Sequence, residues 1–295
     1  MADNKKRVAT AVVLMVLARV VHAGAATGES SVFDSATIPA AFPQSTLTDS
    51  TVTIADIRSK LPADVSVIDQ GHLVIVSDAS ADDAGRLAQR VARYDAAMRR
   101  HNPANRETRR TIVVLAGDTA AYRRLAKALY PGLAASQLPP SGFYHREDRL
   151  ILASTVNGDV ALRRELMRAV VLDDNPDAPR WFEQAAATLY ESSEWRSGRL
   201  TPTLDRRMQS IAPDEDLAYD VFAGVCDCSA ISSEQLALIR LLLIFLEQRD
   251  ELQALQAAIR NQGRYTTLLE ALDSMNLHRD AWKDFAETRV RAYSR

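Results

Sequence analysis

Two short β-branched runs, Leu73-Val74-Ile75-Val76 and Ile112-Val113-Val114-Leu115, are each bounded by turn-forming or charged residues. That is the pattern of buried strands, and it makes the two runs neighbours in one sheet. What lies between them is then constrained. Leu87, Val91, Tyr94 and Met98 recur at intervals of three and four, which predicts one apolar stripe on a helix of about twenty residues. Asp118 stands where it can cap a second helix whose buried face is Tyr122, Leu125 and Leu129. A further apolar run, Leu150-Ile151-Leu152, follows. The order strand, helix, strand, helix, strand predicts a small mixed sheet with helices on one side.

After Tyr190 the pattern is wholly helical. Ser232 and Gln235 form a capping box ahead of Leu236 to Leu246. This run is nearly all apolar, so its helix is expected at the centre of the C-terminal half. Arg240 within it needs a partner, and the run is too short to span a bilayer. Later helices end at Gly263 and near Met275, and a last one carries Trp282, Phe285 and Val290. The fold class is therefore α+β: the small mixed sheet, then a mostly helical C-terminal half. Residues 51–295 form one domain, with an α/β part (51–157) and a helical part (158–295).

Residues 5–7 are Lys-Lys-Arg, residues 8–18 are almost continuously apolar, and Ala23-Gly24-Ala25 supplies a small-residue cleavage pattern. Residues 1–25 read as an export signal, with an uncleaved anchor as the alternative, which places the protein in the periplasm or outside the cell. Residues 26–50, rich in Ser, Thr and Ala with Pro39 and Pro43, read as a flexible linker. Loss of residues 1–25 removes Lys5, Lys6, Arg7, Arg19 and Asp3 and takes the net charge from −2 to −5. An acidic balance argues against nucleic acid as the main partner, and no membrane span is expected in the mature chain. Cys226 and Cys228 are the only cysteines. In an exported protein they are a candidate disulfide across one residue, with two free thiols as the alternative.

The segment from Arg164 to Glu191 carries the chemistry. It runs Arg164-Glu165-Leu166-Met167-Arg168, then Asp173-Asp174-Asn175-Pro176-Asp177-Ala178-Pro179-Arg180-Trp181-Phe182-Glu183-Gln184, and closes on Thr188-Leu189-Tyr190-Glu191. In order and spacing it resembles the secreted bacterial gluzincin-like metallopeptidase domains of the thermolysin clan. Ser141-Gly142-Phe143-Tyr144, ahead of Leu150-Ile151-Leu152, looks like the edge strand that such domains place over the cleft. The resemblance implies a His-Glu-x-x-His helix, because residues four apart share a helix face and aim two imidazoles at one zinc, with the Glu activating water. Here Arg164 and Arg168 stand at the two His positions. Gln184 stands at the third ligand position, on the next helix and facing the arginines; a slipped alignment puts Glu183 there instead. Only the water-activating carboxylate, Glu165, is kept.

Guanidinium stays protonated and offers no lone pair to a cation, so neither Arg is a ligand. The expectation is a protein with no zinc, no other cofactor and no catalytic residue, in which Glu165 is vestigial and pairs with arginine. Arg164 and Arg168 are expected to form ion pairs with Glu165, Glu183 or Glu191 across the former metal position. Phe143, Tyr144, His145, Glu183, Tyr190 and Glu191 are the candidate cleft residues. His72, His101, His145 and His278 show no helical pairing that would bind metal. The functional expectation is a pseudopeptidase that binds a peptide or protein without cutting it. A divergent hydrolase and a structural subunit of a periplasmic assembly remain as alternatives.

Overall fold

The computed structural model describes residues 54–100, 110–207, 211, 222, 225–226, 231–275, 277 and 279–293. The signal and linker expected over residues 1–50, together with His101, His278 and Cys228, lie outside the described residues.

Helix α1 (Ile54–Lys60) leads into β1 (Ser66–Gln70) and β2 (Leu73–Ser77), followed by α2 (Ala81–Arg99), β3 (Thr111–Ala116) and α3 (Thr119–Leu129). Strands β4 (Gly142–His145) and β5 (Leu150–Ser154) complete a five-stranded sheet of order β1-β2-β3-β5-β4. β2, β3 and β5 are parallel, and antiparallel β1 and β4 form the two edges. The sheet is mixed, as expected, and the apolar runs at 73–76 and 112–115 do pair directly, with Val74 opposite Ile112. The second helix begins where the sequence put it, since Asp118 Oδ1 accepts the Ala121 N–H at 2.7 Å.

The expected placement of helices on one side is corrected: they cover both faces. Leu73, Ile75, Val113, Leu115, Ile151 and Ala153 point into a core with α2 and the C-terminal helices. Val74, Val76, Ile112, Val114 and Leu152 point the other way, into a second core with Ile57 of α1 and Tyr122, Leu125 and Leu129 of α3. Successive side chains of a strand alternate between faces, so strands that are apolar at every position need a cover on each.

The C-terminal part comprises α4 (Val160–Asp174), α5 (Arg180–Leu189), α6 (Ser233–Gln248), α7 (Leu252–Gln262), α8 (Leu268–Ser274) and α9 (Arg279–Tyr293). It is mostly helical but not wholly so. Between α5 and α6 the chain forms a hairpin of β6 (Ser193–Arg196) and β7 (Arg199–Pro202), with Arg196 opposite Arg199. Its two-residue turn, Ser197-Gly198, has φ of 48° and 78°. Two consecutive positive φ values match the right-handed twist of the flanking strands, and a glycine meets that need at little cost. Helix α6 is central: every residue from Ala237 to Leu246 is buried. Burying each of its Leu and Ile side chains contributes about 1.5–3 kcal/mol. Trp282 of α9 closes over it, 5.9 Å from the Phe245 ring and 5.5 Å from Phe222. Among the described residues no helix is long and apolar enough to cross a membrane.

Candidate functional site

The site is built where α4 lies beside α5 and under the β4–β5 edge of the sheet. Leu162, Leu166, Met167 and Val170 bury the inner side of α4 in the larger core. Arg164 and Arg168, four apart, are left on a shared face. Asn175 turns the chain after α4: its carbonyl accepts the Ala178 N–H at 3.0 Å and its side chain accepts the Asp177 N–H at 3.2 Å. Pro179 then precedes α5, whose Trp181 is fully buried and donates its indole N–H to the Thr266 carbonyl at 2.9 Å.

Glu165 is 0% exposed and held from two sides. Arg164 Nε donates to its Oε1 at 2.7 Å, and Arg168 Nη1 donates to its Oε2 at 2.5 Å. Arg168 Nε also lies 3.0 Å from Glu183 Oε1, an ion pair that is not aligned as a hydrogen bond. Arg164 extends the other way, donating to the Gly142 carbonyl of β4 at 3.1 Å and lying 3.5 Å from Glu191 Oε1. Glu191 in turn pairs with Arg207, which holds Asp205 Oδ2 at 2.8 Å. Arg240, 0% exposed, lies 3.7 Å from the same Asp205 oxygen. Its Nε donates to the Thr188 carbonyl at 3.0 Å and its Nη2 to the Thr203 carbonyl at 2.7 Å. Arg240 thus meets the carbonyls that end α5, as well as both ends of the hairpin connection. Four arginines and four carboxylates alternate through this network, so its formal charge is zero.

Arginine stays charged throughout. Burial works against the Arg164 charge, but Glu165 and Glu191 outweigh it and raise its pKa above the ordinary value. Burial, with the Glu165 charge nearby, likewise pushes the Tyr122 hydroxyl far above its usual range.

The structure brings together Arg164, Glu165, Arg168, Glu183 and Glu191. Glu183 reaches the arginines; one residue along a helix turns the side chain by about 100°, and Gln184 is half-buried. Phe143 and His145 stand elsewhere. Phe143 is in the core on the α1 and α3 side of the sheet, and the His145 ring lies 5.0 Å from the Tyr130 ring, tilted by 35°, with Asp148 at 3.1 Å from its Nδ1. Tyr144 is in the larger core, and fully buried Tyr190 pairs with Glu247 of α6. Among the described residues no cysteine is free: Cys226 is disulfide-bonded, and Cys228, the chain's only other cysteine, lies outside them. Sequence reasoning missed Asp205 and Arg207, whereas Gly142 lies in the expected edge strand. Nothing local marks the first two, because they join the network only through the fold; Arg240 alone carried a signal, as a charge inside an apolar run.

Chemically, the arrangement is a closed set of ion pairs. Glu165 is buried and faces guanidinium on both oxygens. Among the described residues no three His, Cys, Asp or Glu side chains form a ligand set for a metal ion. No protein-family model matches the chain, and no curated protein matches it.

Proposed function

We propose that this chain is an exported, non-catalytic peptidase-like protein: a pseudopeptidase that serves as a peptide- or protein-binding or regulatory module. The observation that carries the reading is the burial of Glu165 between Arg164 and Arg168. The two arginines stand where a gluzincin holds its first two zinc ligands, and Glu183 on the neighbouring helix approaches from the third side. Charge replaces metal at the junction of α4, α5 and the β4 edge. Without a Lewis acid to polarise a scissile carbonyl, several kcal/mol of the usual transition-state stabilisation is absent, roughly enough to leave peptide bonds intact.

Two measurements on the purified full chain test this. Elemental analysis is expected to find no stoichiometric zinc, and casein is expected to stay uncut; cleavage that disappears in Glu165→Gln would overturn the loss of catalysis. A fluorescent peptide library is expected to contain members that bind and are recovered whole. A library with no bound member would remove the binding module and leave a structural role.

A further inference from the structure

Many arginines of the described residues have a carboxylate within ion-pair distance, and none of those is on α1 or α3. Helix α3 reads Thr-Ala-Ala-Tyr-Arg-Arg-Leu-Ala-Lys-Ala-Leu, so its only charged residues are Arg123, Arg124 and Lys127, all exposed. Helix α1 lies beside it over the same sheet face and adds Arg58 and Lys60 against a single carboxylate, Asp56. None of Arg58, Arg123, Arg124 and Lys127 has an acidic partner among the described residues. The two helices together hold five cations and one carboxylate, a net of +4, in a chain whose total is −2. The rest of the chain therefore sums to −6.

We propose that this α1–α3 face docks the folded domain on an anionic phospholipid surface. A bilayer is flat and meets one face of a molecule, whereas the net negative charge of the whole chain opposes the approach of a nucleic acid. Clustered Lys and Arg near an anionic leaflet gain affinity with each added cation. The inference does not depend on the loss of zinc chemistry, and it stands or falls separately.

The test is co-sedimentation of the full chain with vesicles of phosphatidylcholine alone or mixed with phosphatidylglycerol, at low and high salt. Wild type is expected to favour the phosphatidylglycerol vesicles and to lose that preference in high salt. Arg123→Gln with Arg124→Gln and Lys127→Gln is expected to weaken the preference by about 100-fold, at roughly fivefold per cation removed. Lys283→Gln with Arg289→Gln and Arg291→Gln, three cations on α9, is the matched control and is expected to bind as wild type does. All six side chains are exposed, and equal melting temperatures would confirm that each variant folds. Equal binding by the α3 and α9 triple variants would overturn the proposal, because N-terminal attachment alone would then explain the sedimentation. Tighter binding to an oligonucleotide of matched charge than to the anionic vesicles would overturn it in favour of nucleic acid.

Discussion

Arg168 is 7% exposed, with one nitrogen on Glu165 and another beside Glu183, so neither carboxylate is left facing an apolar wall. Such a buried pair contributes little net stability when it forms, because both ions give up water; removing one partner is different, since the other charge stays buried and unpaired. Arg168→Ala is therefore expected to cost about 3–5 kcal/mol. Arg289→Ala, an exposed change on α9, is expected to cost about 0.5 kcal/mol or less. Urea denaturation of the two variants beside wild type separates the cases. Equal small losses would mean that Arg168 is solvated and that the charge-filled site does not exist. Glu165→Gln should also be costly by the same logic, for it strands two guanidinium groups with only Glu183 and Glu191 to answer them.

At the scale of elements, what could be read from sequence was what local chemistry dictates. The N-cap at Asp118, the capping box at Ser232, the stripe of α2 and the stop at Gly263 (φ 87°) are each written in a few adjacent residues, and each stands in the structure. The hairpin β6–β7 had such a signal too, in the Ser197-Gly198 pair, but its four-residue strands are short beside the helical runs around them. The cover on the second sheet face was implied by strands with no polar alternation, yet the helix that completes it, α1, is only seven residues long and shows little period of its own. In the site, Arg164, Glu165 and Arg168 were legible because they lie within about one turn of one helix, and Glu183 because the next helix follows after a short loop, whereas Asp205 and Arg207 arrive through the hairpin. Arg240 is the joint between these elements. Arg240→Met roughly keeps the volume but takes the guanidinium from the Thr203 carbonyl, one of its donors from the Thr188 carbonyl, and the cation from Asp205, with an expected loss of about 3–5 kcal/mol. Hydrogen exchange at the Thr203 amide, which bonds the Ser192 carbonyl at 2.8 Å, is expected to accelerate more than global unfolding requires. Exchange at Thr203 that tracks only the global change would show that Arg240 does not hold the hairpin.

For the molecule as a whole, the buried charges give stability a pH dependence that can be worked out in sign. Glu247, in the last turn of α6, has its carboxyl pushed up to about 7 by burial and by the neighbouring Asp250, against weaker opposition from Arg199 and the Tyr190 hydroxyl. In the unfolded chain the same group titrates near its ordinary value of about 4.3. Between these limits the folded state holds a proton that the unfolded state has lost, so the unfolding free energy contributed by this group falls as pH rises from about 4.3 to about 7. Below that window the group is neutral in both states and costs nothing; above it the penalty is complete and constant. Asp83 and Glu270, whose pKa values are lowered by hydrogen bonds to Ser80 and Thr267, act in the opposite sense, so the comparison must be made variant against wild type at each pH. Glu247→Gln removes the ionisation while keeping the shape. It is expected to match wild type near pH 4 and to exceed it by about 2 kcal/mol at pH 8, after allowance for the part of the carboxyl that solvent reaches. Urea midpoints at the two pH values measure the difference directly. A variant that is equally stable or weaker at pH 8 would show that Glu247 is well solvated or paired when charged, and that the junction of α6 with Tyr190 and the hairpin carries no proton-linked strain.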